Sequence, residues 1–318
     1  MAKAKKSKPI PIRKPLDPQR LARMRRVLIH TSAAVVFVAL LAAALFFDRR
    51  YVEHKLVLAK SPPKVVLKNR PVWMSDFLAE QIASVARPAG AHSAFDHQLL
   101  VDTVAMLRAN PWIREVKHVR RAFQNQPGDT LEVDCEYRAP VALVHWKDYY
   151  WLVDGDSVKL PEAFGEQFLA RIMFGQDQKM NIRVIEGVQQ PPPESGAKWA
   201  GEDLRAGLEL VKLLYGKAYA EEVQRVDVSN FDRRRDRRAA QLVLLTKYNT
   251  QVRWGQPISG NDSFLVEVSP ARKLEYMEAI FNEMGRVDGK HQWVVLRFDQ
   301  PTRPVVDKAQ TASTEIQR

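Results

Sequence analysis

The chain has 318 residues, 46% hydrophobic and 27% charged, a globular composition that excludes a wholly disordered or collagen-like protein. Its one cysteine, Cys135, excludes an intrachain disulfide and a Cys-rich zinc site. The net charge of +12 suits a nucleic-acid binder only until its distribution is read: residues 1–26 hold ten Lys/Arg against Asp17, a net of +9, so everything after them carries +3.

Residues 1–26 therefore read as a basic tail. Val27 to Phe47 (VLIHTSAAVVFVALLAAALFF) follows without an Asp, Glu, Lys or Arg. Its 21 residues span about 31 Å as a helix, the hydrocarbon thickness of a bilayer. A cleaved signal peptide has a shorter apolar stretch, roughly 7–15 residues, and a shorter leader, so the segment reads as an uncleaved signal anchor. Within 20 residues of the span the amino side has seven Lys/Arg and the carboxyl side five, which predicts a cytoplasmic amino terminus and an extracytoplasmic remainder. Such a placement excludes DNA as a ligand. His30 lies one turn into the span and reads as an interface side chain rather than a proton relay.

Residues 48–63 are charged, close on Ser61-Pro62-Pro63 and read as a linker. Lys64–Lys68 predicts a strand. Trp73, Phe77, Leu78, Ile82 and Val85 give a helical stripe that stops before Pro88, and Phe95 to Ala109 a second helix with Leu99, Leu100, Val104 and Leu107 on one side. Ile113 to Phe123 alternates apolar and charged residues. After the Pro127-Gly128-Asp129 turn, Leu131, Val133, Cys135 and Tyr137 alternate as a half-buried strand. Residues 64–139 thus read strand, helix, helix, strand, strand.

The next block, 140–306, predicts a mostly antiparallel β domain with flanking helices. Its strands are expected at 141–144, 149–153, twice within 168–190, at 223–228, 241–246 and 251–254, and at Trp293 to Phe298. Helices are expected over Leu204 to Leu214 and after Ser269-Pro270, with Leu274, Met277, Phe281 and Met284 inward and Gly285 as the stop. Residues 307–318 are polar and expected to be disordered. The whole chain is α+β: one transmembrane helix and two extracytoplasmic units.

The first unit's order of elements, just beyond a signal anchor, resembles a POTRA (polypeptide-transport-associated) domain. The stretch Asn110-Pro111-Trp112-Ile113, through Val116, Val119 and Arg121 to Pro127-x-Asp129-Thr130-Leu131-x-Val133, is similar to the FtsQ/DivIB family of bacterial cell-division proteins. So are Glu136-Tyr137-Arg138-Ala139-Pro140-Val141-Ala142, Tyr150-Trp151-Leu152-Val153-Asp154 and the late Val295-Leu296-Arg297-Phe298-Asp299. Val295 stands where the family pattern has Asp, and 162–200 has no counterpart in it. The resemblance implies a non-catalytic, single-pass scaffold of the inner membrane at the division septum. It implies FtsB/FtsL-like partners at the terminal strand, with FtsK-like proteins and septal wall synthases as further neighbours, and neither cofactor nor small-molecule substrate. An exposed last strand can be extended by a partner segment. The residues expected to meet it are Arg297, Phe298, Asp299, Arg303, Val305 and Val306. The bland alternatives are a core role for Phe298 and a solvated one for Arg297.

The rival readings are a POTRA-bearing component of protein translocation or envelope assembly, and a wall hydrolase. For the first, no tandem repeat or run of barrel strands accompanies the single candidate domain. For the second the signals are weak. Ser61-x-x-Lys64 and Ser195-x-x-Lys198 match Ser-x-x-Lys but sit in loops without its companion motifs. His92 and His97 with Asp96 and Asp102 read as a polar helix start rather than a metal cluster. Asp154 and Asp156 read as a turn, Cys135 as a core residue and Arg233–Arg238 (RRRDRR) as a solvated loop.

Overall fold

The computed structural model describes residues 18–56, 62–90, 92, 96–122, 130–169, 182–260 and 266–302. Phe95, Phe123, the Pro127 turn, one of the two strands expected within 168–190, and Arg303, Val305 and Val306 lie outside them.

The helix α1 runs over Pro18–Leu56, 39 residues, beyond the apolar stretch on both sides. It is long and apolar enough to cross a membrane. The linker expected from residue 48 is therefore helical as far as Leu56, because Asp48 to Leu56 contains neither Gly nor Pro to stop it.

Next come β1 (Lys64–Lys68), α2 (Asp76–Val85), α3 (His97–Arg108), β2 (Ile113–Ala122) and β3 (Thr130–Tyr137). The three strands form a sheet in the order β1-β3-β2, with β1 parallel and β2 antiparallel to the central β3. Ser75 caps α2 by accepting from Leu78 N–H, and Asp96 caps α3 by accepting from Gln98 and Leu99 N–H. Leu131, Val133 and Cys135 of β3 are buried as their alternation predicts. The stripe on α2 differs from expectation. Ala79, Ile82 and Ala83 face inward, Trp73 and Leu78 are partly buried, and Phe77 is 80% exposed with Val85 also outside. Two small alanines let the helix sit close to the sheet, and that rotates the larger Phe77 away.

The second unit is an eight-stranded sheet: β4 (Pro140–Trp146), β5 (Tyr149–Asp154), β6 (Lys159–Gly165), β7 (Arg183–Glu186), β8 (Val223–Asp227), β9 (Leu242–Thr246), β10 (Gln251–Gly255) and β11 (Trp293–Val295). Their spatial order is β11-β10-β9-β8-β7-β4-β5-β6. The sheet is mixed: four of its seven pairings are antiparallel, as expected of most of it, while β4 pairs β7, β7 pairs β8 and β10 pairs β11 in parallel. A helix precedes the second member of two of these pairs. These are α4 (Glu202–Leu213), between β7 and β8, and α5 (Pro270–Met284), between β10 and β11. Such connections are what parallel neighbours require. The strand β6 was not expected; Pro161 and Gly165 mask it in the sequence.

Alternate residues of β4 serve two cores. Ala142 and Val144 join Ile185, Leu204, Leu208, Val226 and Trp254 in one cluster. Leu143 joins Leu152, Leu160 and Val184 with Ile82, Leu107, Trp112 and Leu131 in the other. That second cluster crosses the 139/140 position. Polar contacts reinforce the junction: Arg138 N–H donates to the Trp112 carbonyl at 2.9 Å, Arg138 pairs with Asp154 at 2.7 Å, and Arg114 pairs with Asp156.

Candidate functional site at the terminal strand

The last strand is short because its hydrogen bonding changes partner after three residues. β11 pairs with β10 through Trp293, Val294 and Val295, and Leu296 N–H still donates to the Arg253 carbonyl at 3.1 Å. The chain then turns. Val295 and Thr302 exchange N–H···O bonds of 2.9 and 3.1 Å, so Thr302 returns antiparallel along the outer side of β11. On that side β11 pairs with Thr302. Arg303, Val305 and Val306, three of the six expected partner-binding residues, lie outside the described residues.

The turn itself, 296–301, separates the other three expected residues. Phe298 is 47% exposed, so the core reading of this side chain does not hold. The Asp299 carbonyl accepts from the Tyr276 hydroxyl of α5. Arg297 is 9% exposed and points inward, which replaces the solvated reading. Its Nε donates to Glu267 at 2.7 Å and its Nη1 to the Arg238 carbonyl at 2.8 Å, and its guanidinium lies 5.6 Å from the centre of the Phe298 ring. Its charge is thus spent internally.

Glu267 is a hub that local sequence pattern does not mark. Its carboxylate accepts from Arg297, from Lys273 Nζ at 2.7 Å and from the Gln256 backbone N–H at 2.9 Å. Gly255 makes this approach possible: with φ +105 it adopts a conformation glycine favours, and a Cβ there would overlap the carboxylate. The adjacent Val268 N–H donates to the Arg297 carbonyl at 3.1 Å. Lys273 is 2% exposed, in the first turn of α5, with its ammonium 5.2 Å from the Trp254 ring centre. Burial pulls its pKa below the ordinary lysine value, against the opposing pull of Glu267. A signal existed. Lys273, Met277 and Ile280 are the residues that α5 buries, so a lysine stands on the apolar stripe itself, where an unpaired charge is costly.

The other candidates resolve into structural roles. Within Arg233–Arg238, Arg234 is drawn in and donates to Asp203 and to the Gly187, Val228 and Ser229 carbonyls. Asn230 organises the rest by accepting from Arg235 and Asp236 N–H, so this is a built loop with Arg235, Arg237 and Arg238 outward. Asp154 accepts from Asp156 and Val158 N–H, closing the turn. His92 pairs with the capping Asp96 at 3.3 Å, and no metal-holding cluster occurs among the described residues. Burial raises the Cys135 thiol to about 11, with Asp134 adding to it, which makes it a poor nucleophile. Ser195 Oγ lies 3.0 Å from the buried Lys159 Nζ, the distance of a Ser-Lys pair. The neighbouring N–H groups of Gly196 and Ala197 already donate to Lys159 and Glu194 carbonyls, so neither is free to hold an oxyanion. What the site brings together is backbone pairing, an exposed aromatic ring and a fixed turn. Neither a scan against protein-family models nor a search of characterised proteins finds a match to this chain.

Proposed function

We propose that this chain is a non-catalytic, single-pass scaffold of the bacterial cell-division complex, of the FtsQ/DivIB kind. In this reading α1 anchors it in the inner membrane at the septum with the amino terminus in the cytoplasm. The β-α-α-β-β unit is a POTRA domain, and an FtsB/FtsL-like membrane protein docks at the terminal strand. One observation carries the reading: among the described residues the eight-stranded sheet ends at β11, with Thr302 returning beside it and Phe298 half-exposed at the turn between them. The motif resemblance, the long apolar helix and the +9 tail support it. A partner strand that pairs beside Thr302, or displaces it from β11, gains main-chain hydrogen bonds, and Phe298 offers an apolar anchor.

Phe298→Ala tests it. Capture of a co-expressed FtsB/FtsL-like pair by the full-length chain is expected to fall roughly thirtyfold, the weight of a hot-spot side chain of about 2 kcal/mol. The unfolding midpoint is expected to stay put, because the ring is half in solvent. Unchanged capture overturns the docking site. Topology is tested separately: protease added to intact spheroplasts is expected to digest the large carboxyl portion and spare residues 1–26. The reverse pattern overturns the orientation.

A further inference from the structure

We propose that Glu267 is a positioning residue for the terminal docking site, holding the turn at 296–301 so that Phe298 faces outward; this deepens the docking reading above and rests on it. Three separate parts of the chain converge on this one carboxylate. Gln256 N–H comes from the end of β10 at 2.9 Å, Lys273 Nζ from the first turn of α5 at 2.7 Å, and Arg297 Nε from the residue before Phe298 at 2.7 Å. The carboxylate and the ammonium are almost wholly enclosed, with side-chain exposures of 4% and 2%.

Geometry fixes what the hub controls. A planar guanidinium donates in defined directions, so two bonds from one Arg297 set its orientation, one to Glu267 and one to the Arg238 carbonyl at 2.8 Å. That places the cation beneath the Phe298 ring, 5.6 Å from its centre. The ring is thereby held away from the core. Among the described residues the turn's other ties are Leu296, whose side chain is buried and whose N–H donates to the Arg253 carbonyl, Val268 N–H to the Arg297 carbonyl, Tyr276 to the Asp299 carbonyl, and the paired bonds between Val295 and Thr302. Without Glu267, Arg297 loses its acidic partner and its reason to stay inward, and the β11 edge and Phe298 cease to be presented together.

The test separates positioning from mere stability. In E267M/K273M the buried pair becomes two apolar side chains of similar length, a replacement that commonly leaves global stability intact. Hydrogen exchange of the full-length protein is then followed by peptide mass spectrometry, beside capture of the same co-expressed pair. Exchange in a peptide covering 293–302 is expected to rise at least tenfold, with peptides from the three-stranded sheet unchanged, and capture to fall about tenfold. Wild-type protection of 293–302 overturns the proposal. If the double variant does not fold, Arg297→Met breaks the same contact from the other side and is read by the same exchange criterion. The two readings fail differently. Phe298→Ala with unchanged capture removes the docking site, whereas the exchange of 293–302 decides the role of Glu267 either way.

Discussion

Replacing Trp112 by Ala is expected to lower the stability of the extramembrane part by about 3–5 kcal/mol, the range for truncating a buried large aromatic. The side chain is 6% exposed, and its ring centre lies 5.9 Å from that of Trp73. It belongs to the cluster that also contains Leu143, Leu152 and Val184 of the eight-stranded sheet. The loss therefore spreads beyond the first unit. A urea titration followed by fluorescence and by circular dichroism is expected to give one transition, shifted to lower denaturant. An unfolding free energy within about 0.5 kcal/mol of wild type, the scale of a surface substitution, contradicts burial at this position.

The second large effect is expected from Glu267→Ala. The single change leaves the Lys273 ammonium enclosed without its carboxylate, and breaking a buried pair from one side costs about 3–5 kcal/mol. Its pH dependence has a definite sign. Lys273 already has a folded-state pKa below the ordinary lysine value because it is buried, and Glu267 resists that fall. Removing the carboxylate lowers the folded value further. Between the folded and unfolded values the unfolded chain binds more protons, so stability climbs as pH rises through that window. The window now opens at lower pH, and the deficit of the variant relative to wild type is expected to shrink as pH rises towards the ordinary lysine range. Urea midpoints of both proteins at about pH 7 and about pH 9 measure it; a constant deficit rules out an uncompensated Lys273 as its source.

Much of the fold was legible where the chain is locally consistent. Leu131, Val133 and Cys135 alternate cleanly and form the buried side of β3. Ser269-Pro270 and Gly285 mark the two ends of α5, as capping chemistry demands, with Gly285 at φ +72. What failed were the choices tertiary packing makes. The apolar stripes of α2 and α5 were each assigned to the bulkiest residues. Ile82 and Met277 are buried as those stripes predict, but the same faces also bury Ala79 with Ala83 and Lys273 with Ile280, which the stripes left out. Small residues earn their place by close approach, and a lysine by a partner distant in sequence; neither shows in local periodicity. The candidate site divides the same way. A strand starting at Trp293 could be read from the sequence, but not its end at Val295, which leaves Phe298 in the turn that follows. The inward turn of Arg297 could not, since it depends on a carboxylate thirty residues earlier.

The shared core at the 139/140 position has a practical consequence for dissection. A fragment that begins at Pro140 would carry Leu143, Tyr150, Leu152, Leu160 and Val184 with their covering surface removed, a bare oily plate prone to self-association. Truncations meant to isolate the proposed docking end are better replaced by point changes in the intact chain, where loss of capture can be told apart from aggregation.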